Sequence, residues 1–314
     1  MASYQRRILL VVDGSYQSYE TVNYVSGVLP SSGTEIVLLH ITSKVPDAFW
    51  DLEKDPIWQQ KVQTVRGWEI QQEKKISEFM KRACQVFMDA GFPGSAVKIN
   101  VRERKEGIAR DIGNESHHGY DSVILGRRGL STIQDLSLGG IAHKVVLKVT
   151  DLSVWLVGGR PETEKFIIGV DSSTGAMLAV DHFNKITGGQ HKKVLLIHVI
   201  RRVDGAIADI EDTELVEQIQ KEHFDRAARE IRPVLAEASE KLLAAGIPSE
   251  NISTKVVSGA TTRAGTIIEE ARAGGYGTIV VGRRGVSTVE DFDMGRVSNK
   301  LVQAAKDRAL WVVG

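Results

Sequence analysis

Two glycines three residues apart, with an arginine pair between them and a third glycine ten residues further on, occur as Gly126, Arg127, Arg128, Gly129 and Gly139. The same arrangement returns as Gly282, Arg283, Arg284, Gly285 and Gly295. Glycine permits φ > 0 and lets backbone N–H groups come close to a bound oxyanion. A helical pattern begins at each third glycine, and the free N–H groups and positive dipole end of a helix start favour an anion in the same place. A phosphate is the natural occupant. The plainer reading is that the glycines serve only tight strand-to-loop turns, which need no ligand. The arginines have the form of a phosphate clamp, although arginine pairs on loops are more often solvated. Asp135 and Asp291, within the same loops, are available as their salt-bridge partners.

The loops belong to a larger repetition. Ile8 to Ser15 matches Phe166 to Ser173, and Ile36 to His40 matches Val194 to His198, both at an offset of 158 residues. Ala90 to Pro93 matches Ala245 to Pro248 at 155; Gly126 to Thr132 matches Gly282 to Thr288 at 156, as Trp155 matches Trp311. Two copies in one order at nearly one spacing are a duplication. A length of 314 residues suits two domains. The glycine- and proline-bearing stretch Gly158 to Thr163 places the boundary so that residues 1–160 and 161–314 form two domains of one kind. So short a linker implies that they pack together.

Each copy reads as five strands alternating with four helices. In the first, Arg7 to Val12, Glu35 to Ile41, Val97 to Arg102, Ser122 to Leu125 and Ser153 to Val157 are short apolar runs, as expected of parallel strands covered on both faces. In the second they are Phe166 to Val170, Lys193 to Val199, Ile252 to Val257, Thr278 to Val281 and Leu310 to Val313. Ile76, Phe79, Met80, Ala83 and Phe87 form a helical stripe that ends at Gly91. Pro233 predicts a break between helices over Glu214 to Ile231 and Val234 to Ala245. Strand, helix, strand order gives right-handed crossovers, hence an α/β chain of two tandem, doubly wound, mostly parallel five-stranded sheets. Ligands of such sheets bind beyond the carboxyl ends of the strands.

The glycine spacing resembles the G-x2-G-x9-G-[S/T] loop of the ATP-binding universal stress proteins. The resemblance extends over both copies through the Val-Asp-Gly-Ser and Val-Asp-Ser-Ser ends of the first strands, Leu-Leu-His-Ile and Leu-Ile-His-Val of the second, and Val-Trp-Leu-Val and Leu-Trp-Val-Val at the close. It implies a Rossmann-like, adenine nucleotide alpha hydrolase-like fold and a site for ATP, ADP or AMP, with or without Mg2+. In that family the first-strand aspartate and the end of the second strand flank adenine and ribose, while the glycine loop and following hydroxyls hold phosphate. Carried over by position, these are Asp13, Ile41, Gly126, Gly129 and Gly139 in the first copy. In the second they are Asp171, Val199, Gly282, Gly285, Gly295 and Ser298. The family's Ser or Thr after the third glycine is here Gly140 and Arg296; the arginine can contact phosphate through charge or fill the pocket. The family's fifth strands pair across a two-fold axis, which in a tandem chain becomes an internal domain pair and leaves open a further homodimer.

Other residues read more plainly. Asp13 and Asp171 can cap the helices that follow. His40 and His198 suit hydrogen bonds to backbone better than catalysis. Adjacent His117 and His118 point in different directions on a helix and have no second ligand cluster beside them. Trp155 and Trp311 suit an interface or core. Cys84 is a lone cysteine in an apolar stripe, which fits a reducing compartment. Lysine plus arginine and aspartate plus glutamate are 40 each, so no global field draws the chain to nucleic acid or an anionic membrane. No apolar run approaches the roughly 18 residues of a membrane span, and the cytoplasm is the expected location. There is no G-x4-G-K-[ST] loop, no G-x-G-x-x-G fingerprint and no recognised Ser/His/Asp spacing. The function that the resemblance implies is a stress-response protein with an adenine nucleotide as regulatory ligand; a non-binding interaction protein of the same fold, or a slow ATPase, are the alternatives.

Overall fold

The structure is a computed structural model that describes residues 4–129, 138–188, 192–203, 212–286 and 294–314. Asp135 and Asp291 lie outside the described residues.

The first repeat contains β1 (Arg6–Val11), α1 (Tyr16–Val28), β2 (Thr34–Thr42), the single-turn α2 (Asp47–Trp50), α3 (Pro56–Asp89), β3 (Val97–Glu103), α4 (Ile108–Ser116), β4 (Ser122–Gly126), α5 (Gly140–Lys148) and β5 (Ser153–Val157). The second contains β6 (Lys165–Gly169), α6 (Thr174–Thr187), β7 (Lys193–Arg201), α7 (Thr213–Ala244), β8 (Ile252–Ala260), α8 (Arg263–Ala273), β9 (Thr278–Gly282), α9 (Arg296–Ala304) and β10 (Ala309–Val313). Within each repeat the strands are parallel. The two five-stranded halves join through antiparallel β5 and β10 into one sheet of order β3-β2-β1-β4-β5-β10-β9-β6-β7-β8.

Alternation along the strands divides the core into two layers. Ile8 and Leu10 pack beneath α1 and α3 with Phe79, Met80, Ala83 and Phe87. Leu9 faces the opposite side, with Ile112 of α4 and Val145 and Val146 of α5. The second repeat places α6 and α7 on the first face and α8 and α9 on the second.

Helix ends follow their local chemistry. Ser15 and Ser173 cap α1 and α6 by accepting from the amides of Ser18 and Ala176. Helix α3 ends as the glycine signal predicts. Gly91 adopts φ +87°, Phe92 N–H reaches Phe87 O at 3.0 Å and Gly91 N–H reaches Met88 O at 2.9 Å, the paired bonds of a left-handed helix stop.

Two expectations differ. Helix α3 extends 34 residues, well upstream of the apolar stripe, because Asp55 caps it and Pro56 occupies its first position. Helix α7 runs 32 residues through Pro233 without the predicted break. Pro233 is exposed, so water can satisfy the carbonyl that proline leaves without a donor.

The seam is built around Trp155 and Trp311. These fully buried indoles stack with centroids 3.6 Å apart and planes 7° from parallel. Trp311 Nε1 donates to Tyr24 Oη at 3.0 Å, and Tyr24 Oη lies 2.7 Å from Thr278 Oγ1. The reciprocal pair is His182 of α6 and Ser122 of β4, at 3.2 Å. Each repeat's first helix therefore reaches into the other repeat's sheet.

Candidate functional site

Strand order reverses where β1 lies between β2 and β4, and where β6 lies between β7 and β9. Such reversals open a crevice at the strand ends. Asp13 and Asp171 stand there, just beyond β1 and β6.

Each aspartate braces a helix cap. Asp13 Oδ1 accepts from Ser15 N–H at 3.0 Å and from Ser18 Oγ at 2.6 Å. Asp171 Oδ1 accepts from Ser173 N–H at 3.0 Å and also from the Ser173 hydroxyl. The second oxygen turns to the loop. A Cβ on Gly129 would lie 2.2 Å from Asp13 Oδ2, and one on Gly285 would lie 2.8 Å from Asp171 Oδ2. None of the six loop glycines has positive φ, contrary to the expected left-handed turn. Their physical role is to leave out a Cβ where backbone and carboxylate meet.

The loop ends are tied together. Gly139 N–H donates to Arg127 O at 2.7 Å, and Gly295 N–H to Arg283 O at 2.9 Å. Among the described residues, no side chain caps α5 or α9, which leaves their first-turn amides at the crevice end of each helix. Ser298 is buried and donates its hydroxyl to Gly282 O at 2.8 Å, which fixes the loop neck to α9.

In the second repeat these parts enclose a cavity of about 460 Å3, within the roughly 300–1,000 Å3 usual for small-molecule sites. Asp171, Val199, Gly282, Gly285, Gly295, Arg296 and Ser298 all line it. Ile197, Val199, Ala264, Ile267 and Val281 supply an apolar wall. Among the described lining residues, Arg201, Arg263, Arg284, Arg296 and Lys300 bring positive charge, against the single carboxylate of Asp171. The corresponding first-repeat positions are Ser43, Ile108, Arg128, Gly140 and Lys144, and Ala142 replaces Ser298. There Asp13, Ile41, Gly126, Gly129 and Gly139 occupy the equivalent strand ends and loop, and of the five aligned positions only Arg128 and Lys144 are cationic. Arg201, Arg263 and Lys300 were not among the residues that the sequence marks out; for Arg201 and Arg263 the signal is the charge difference from Ser43 and Ile108, whereas Lys300 matches Lys144.

The histidines behave as expected. His40 Nδ1 lies 2.8 Å from Val12 O, and His198 Nδ1 lies 2.7 Å from Val170 O. Burial pushes the His198 pKa down, so the ring is neutral and donates through Nδ1.

Over residues 5–157 and again over 162–311 the sequence matches the universal stress protein family. The chain belongs to that family. A universal stress protein from Archaeoglobus fulgidus DSM 4304 shares the fold at 17% identity and TM-score 0.59, covering 98% of this chain and 97% of the other. A putative universal stress protein from Pseudomonas aeruginosa UCBPP-PA14 shares it at 13% identity and TM-score 0.53, with 98% and 92% covered. A universal stress protein in complex with cAMP matches 48% of this chain and 97% of its own at 22% identity, with TM-score 0.35. Curated proteins gave no match.

One arginine of each loop pair departs from both sequence readings. Arg128 and Arg284 are exposed, but Arg127 and Arg283 are only 1% and 4% exposed. They are neither solvated nor part of the cavity lining. Arg283 donates from Nη1 to Val146 O at 2.8 Å and from Nη2 to Val149 O at 2.6 Å, at the end of α5. Arg127 donates from Nη2 to Val302 O at 2.5 Å, near the end of α9. Each repeat thus places a cation on the helix-end carbonyls of the other, where free acceptors and the negative dipole end favour it.

Among the described residues, no helix is long and apolar enough to cross a membrane, and no group of three or more His, Cys, Asp or Glu is placed to hold a metal.

Proposed function

We propose that the second repeat binds an adenine nucleotide, with ATP the best fit, as a regulatory ligand of a cytoplasmic stress response. The observation that carries this reading is the cavity that joins an apolar slot between β7 and β9 to a glycine-lined mouth with five cations. A flat base suits the slot. A polyphosphate suits the mouth, where the α9 amides and Arg296 can meet its oxygens. Asp171 and Val199 stand on the base and sugar side, and Gly282, Gly285, Gly295 and Ser298 shape the phosphate side. Asp171 is the only carboxylate among the described residues that line the cavity, so Mg2+ would enter with the triphosphate. The first repeat, through Asp13, Ile41, Gly126, Gly129 and Gly139, is proposed as the weaker site. The nucleotide acts by shifting conformational populations.

Calorimetric titration with Mg-ATP, ADP, AMP, cAMP and adenosine tests the proposal. The expected result is one dominant site with ATP tightest, and an ATP affinity that falls with salt more steeply than that of adenosine. No heat with any adenine compound overturns the ligand assignment. A steady-state phosphate-release assay separates binding from hydrolysis.

A further inference from the structure

We infer that Arg127, although it belongs to the first repeat, is a positioning residue for the anion site of the second. The inference rests on the nucleotide reading of that site and extends it across the domain seam. Arg127 lies between Gly126 and Gly129 in the first loop, and its side chain turns away from that loop's crevice. It crosses to α9 and donates to Val302 O. Helix α9 has only nine residues, and the opposite end contributes Gly295, Arg296, Val297, Ser298 and Lys300 to the cavity. A helix this short moves as a rod, so a restraint on Val302 sets where the amides of its first turn point.

The crossing is built into the backbone. A Cβ on Gly158, just past β5, would lie 2.7 Å from Arg127 Cδ and 2.0 Å from Lys306 O. Glycine there makes room for the guanidinium stem and for the α9–β10 connection. Gly158 N–H also donates to Arg308 O at 3.1 Å, which holds that connection against the seam. Burial, then neighbouring Arg128, pushes the Arg127 pKa down to about 10, so the group remains a cation at neutral pH.

The two crossings differ in strength. Arg283 makes two bonds to the end of α5, whereas Arg127 makes one to α9, and its Nε and Nη1 have no hydrogen-bond partner among the described residues. Among the described residues, the arginine crossing to the helix beside the cation-rich cavity therefore rests on a single bond. Loss of that bond should be felt most by phosphate and little by the base and sugar.

The test uses the full chain carrying Arg127→Met, which keeps the stem and removes the cation, with Arg127→Lys as the conservative variant. Titration with Mg-ATP and adenosine should show ATP weakened about tenfold in Arg127→Met while adenosine changes less than about twofold. Arg127→Lys should recover part of the ATP affinity. In nucleotide-free protein, amide exchange over Val297 to Lys300 should quicken in Arg127→Met. Equal losses for ATP and adenosine, or unchanged exchange in α9, overturn the inference. If wild-type protein binds no nucleotide while α9 exchange still quickens, the positioning role survives and the ligand assignment falls. If Arg127→Met does not fold, the same ATP-to-adenosine ratio and α9 exchange in Arg127→Lys decide.

Discussion

The glycine loops of the two repeats share one backbone plan and keep different company. Both tie their third glycine to the first arginine's carbonyl, both leave the following helix uncapped, and both send that arginine across the seam. Around this frame the side chains diverge. Gln17 stitches the start of α1 to the end of β5, with Nε2 donating to Val157 O at 3.1 Å and Gly159 O at 3.2 Å. Its counterpart is Gly175, where the backbone of α6 comes so near the loop that a Cβ on Gly282 would lie 2.5 Å from it. Gly140 faces Arg296 across the comparison, Ala142 faces Ser298, and Ile108 faces Arg263. The arginine that joins the repeats is present in both, while the side chains that face the crevice are more polar and cationic in one.

The largest effect that could break this contrast comes from Gly285→Val. Its Cβ and methyls would press on Asp171 Oδ2 and fill the mouth of the cavity, and calorimetry should show no remaining ATP binding. Gly129→Val meets Asp13 instead and should leave the dominant binding event in place; the opposite outcome would assign the active pocket to the first repeat.

A second contrast lies at the seam, where equivalent positions hold His182 and Tyr24. Burial pushes His182 down to about 4 from 6.5 and raises Tyr24. The folded protein therefore favours neutral imidazole. Its contribution is complete above pH 6.5 and is lost as the pH falls towards 4, on the order of 3 kcal/mol in total. Asp121 opposes this shift and Lys185 adds to it. Denaturant midpoints across pH 4.5 to 7 should show a shallower slope in His182→Phe. Tyr24→Phe should leave the slope unchanged and cost about 1–3 kcal/mol at every pH, since it strips the buried Trp311 N–H of its acceptor.

Arg296→Ala should weaken ATP by about 1.5–3 kcal/mol and leave adenosine nearly unchanged. Tighter ATP binding in that variant would mean that the arginine fills the pocket. The smallest effect is expected from Gly140→Arg, which gives the first repeat the missing cation. A Cβ at Gly140 meets nothing within 4 Å, so the change fits the helix start. A gain of about 0.3–1 kcal/mol in a second, weaker ATP binding event would sharpen the view that charge sets the two sites apart.

Much of this was legible in the residues. Strands such as Ser153–Val157 were found to the residue because continuous apolar runs mark strands covered on both faces. The repeat offset brought Asp171, Val199 and the three second-repeat glycines to one place. What escaped reading depended on partners far away in sequence. Arg127 and Arg283 look like any loop arginines until the helix ends that receive them are in view, 134 to 175 residues away. The upstream half of α3 buries little, with Val62 its one fully buried side chain; Asp55 followed by Pro56 was the available signal. Pro233 was read by its local rule, which solvent on the outer face of α7 relaxes.

The antiparallel meeting of β5 and β10 has one more consequence. A pair of separate, identical subunits joined by such an edge must present the same face on both sides, so any substitution appears twice and each must suit itself. A peptide link between the halves removes that obligation, and the pairing persists at any dilution because it is intramolecular. One half can then specialise in a ligand while the other keeps the scaffold true.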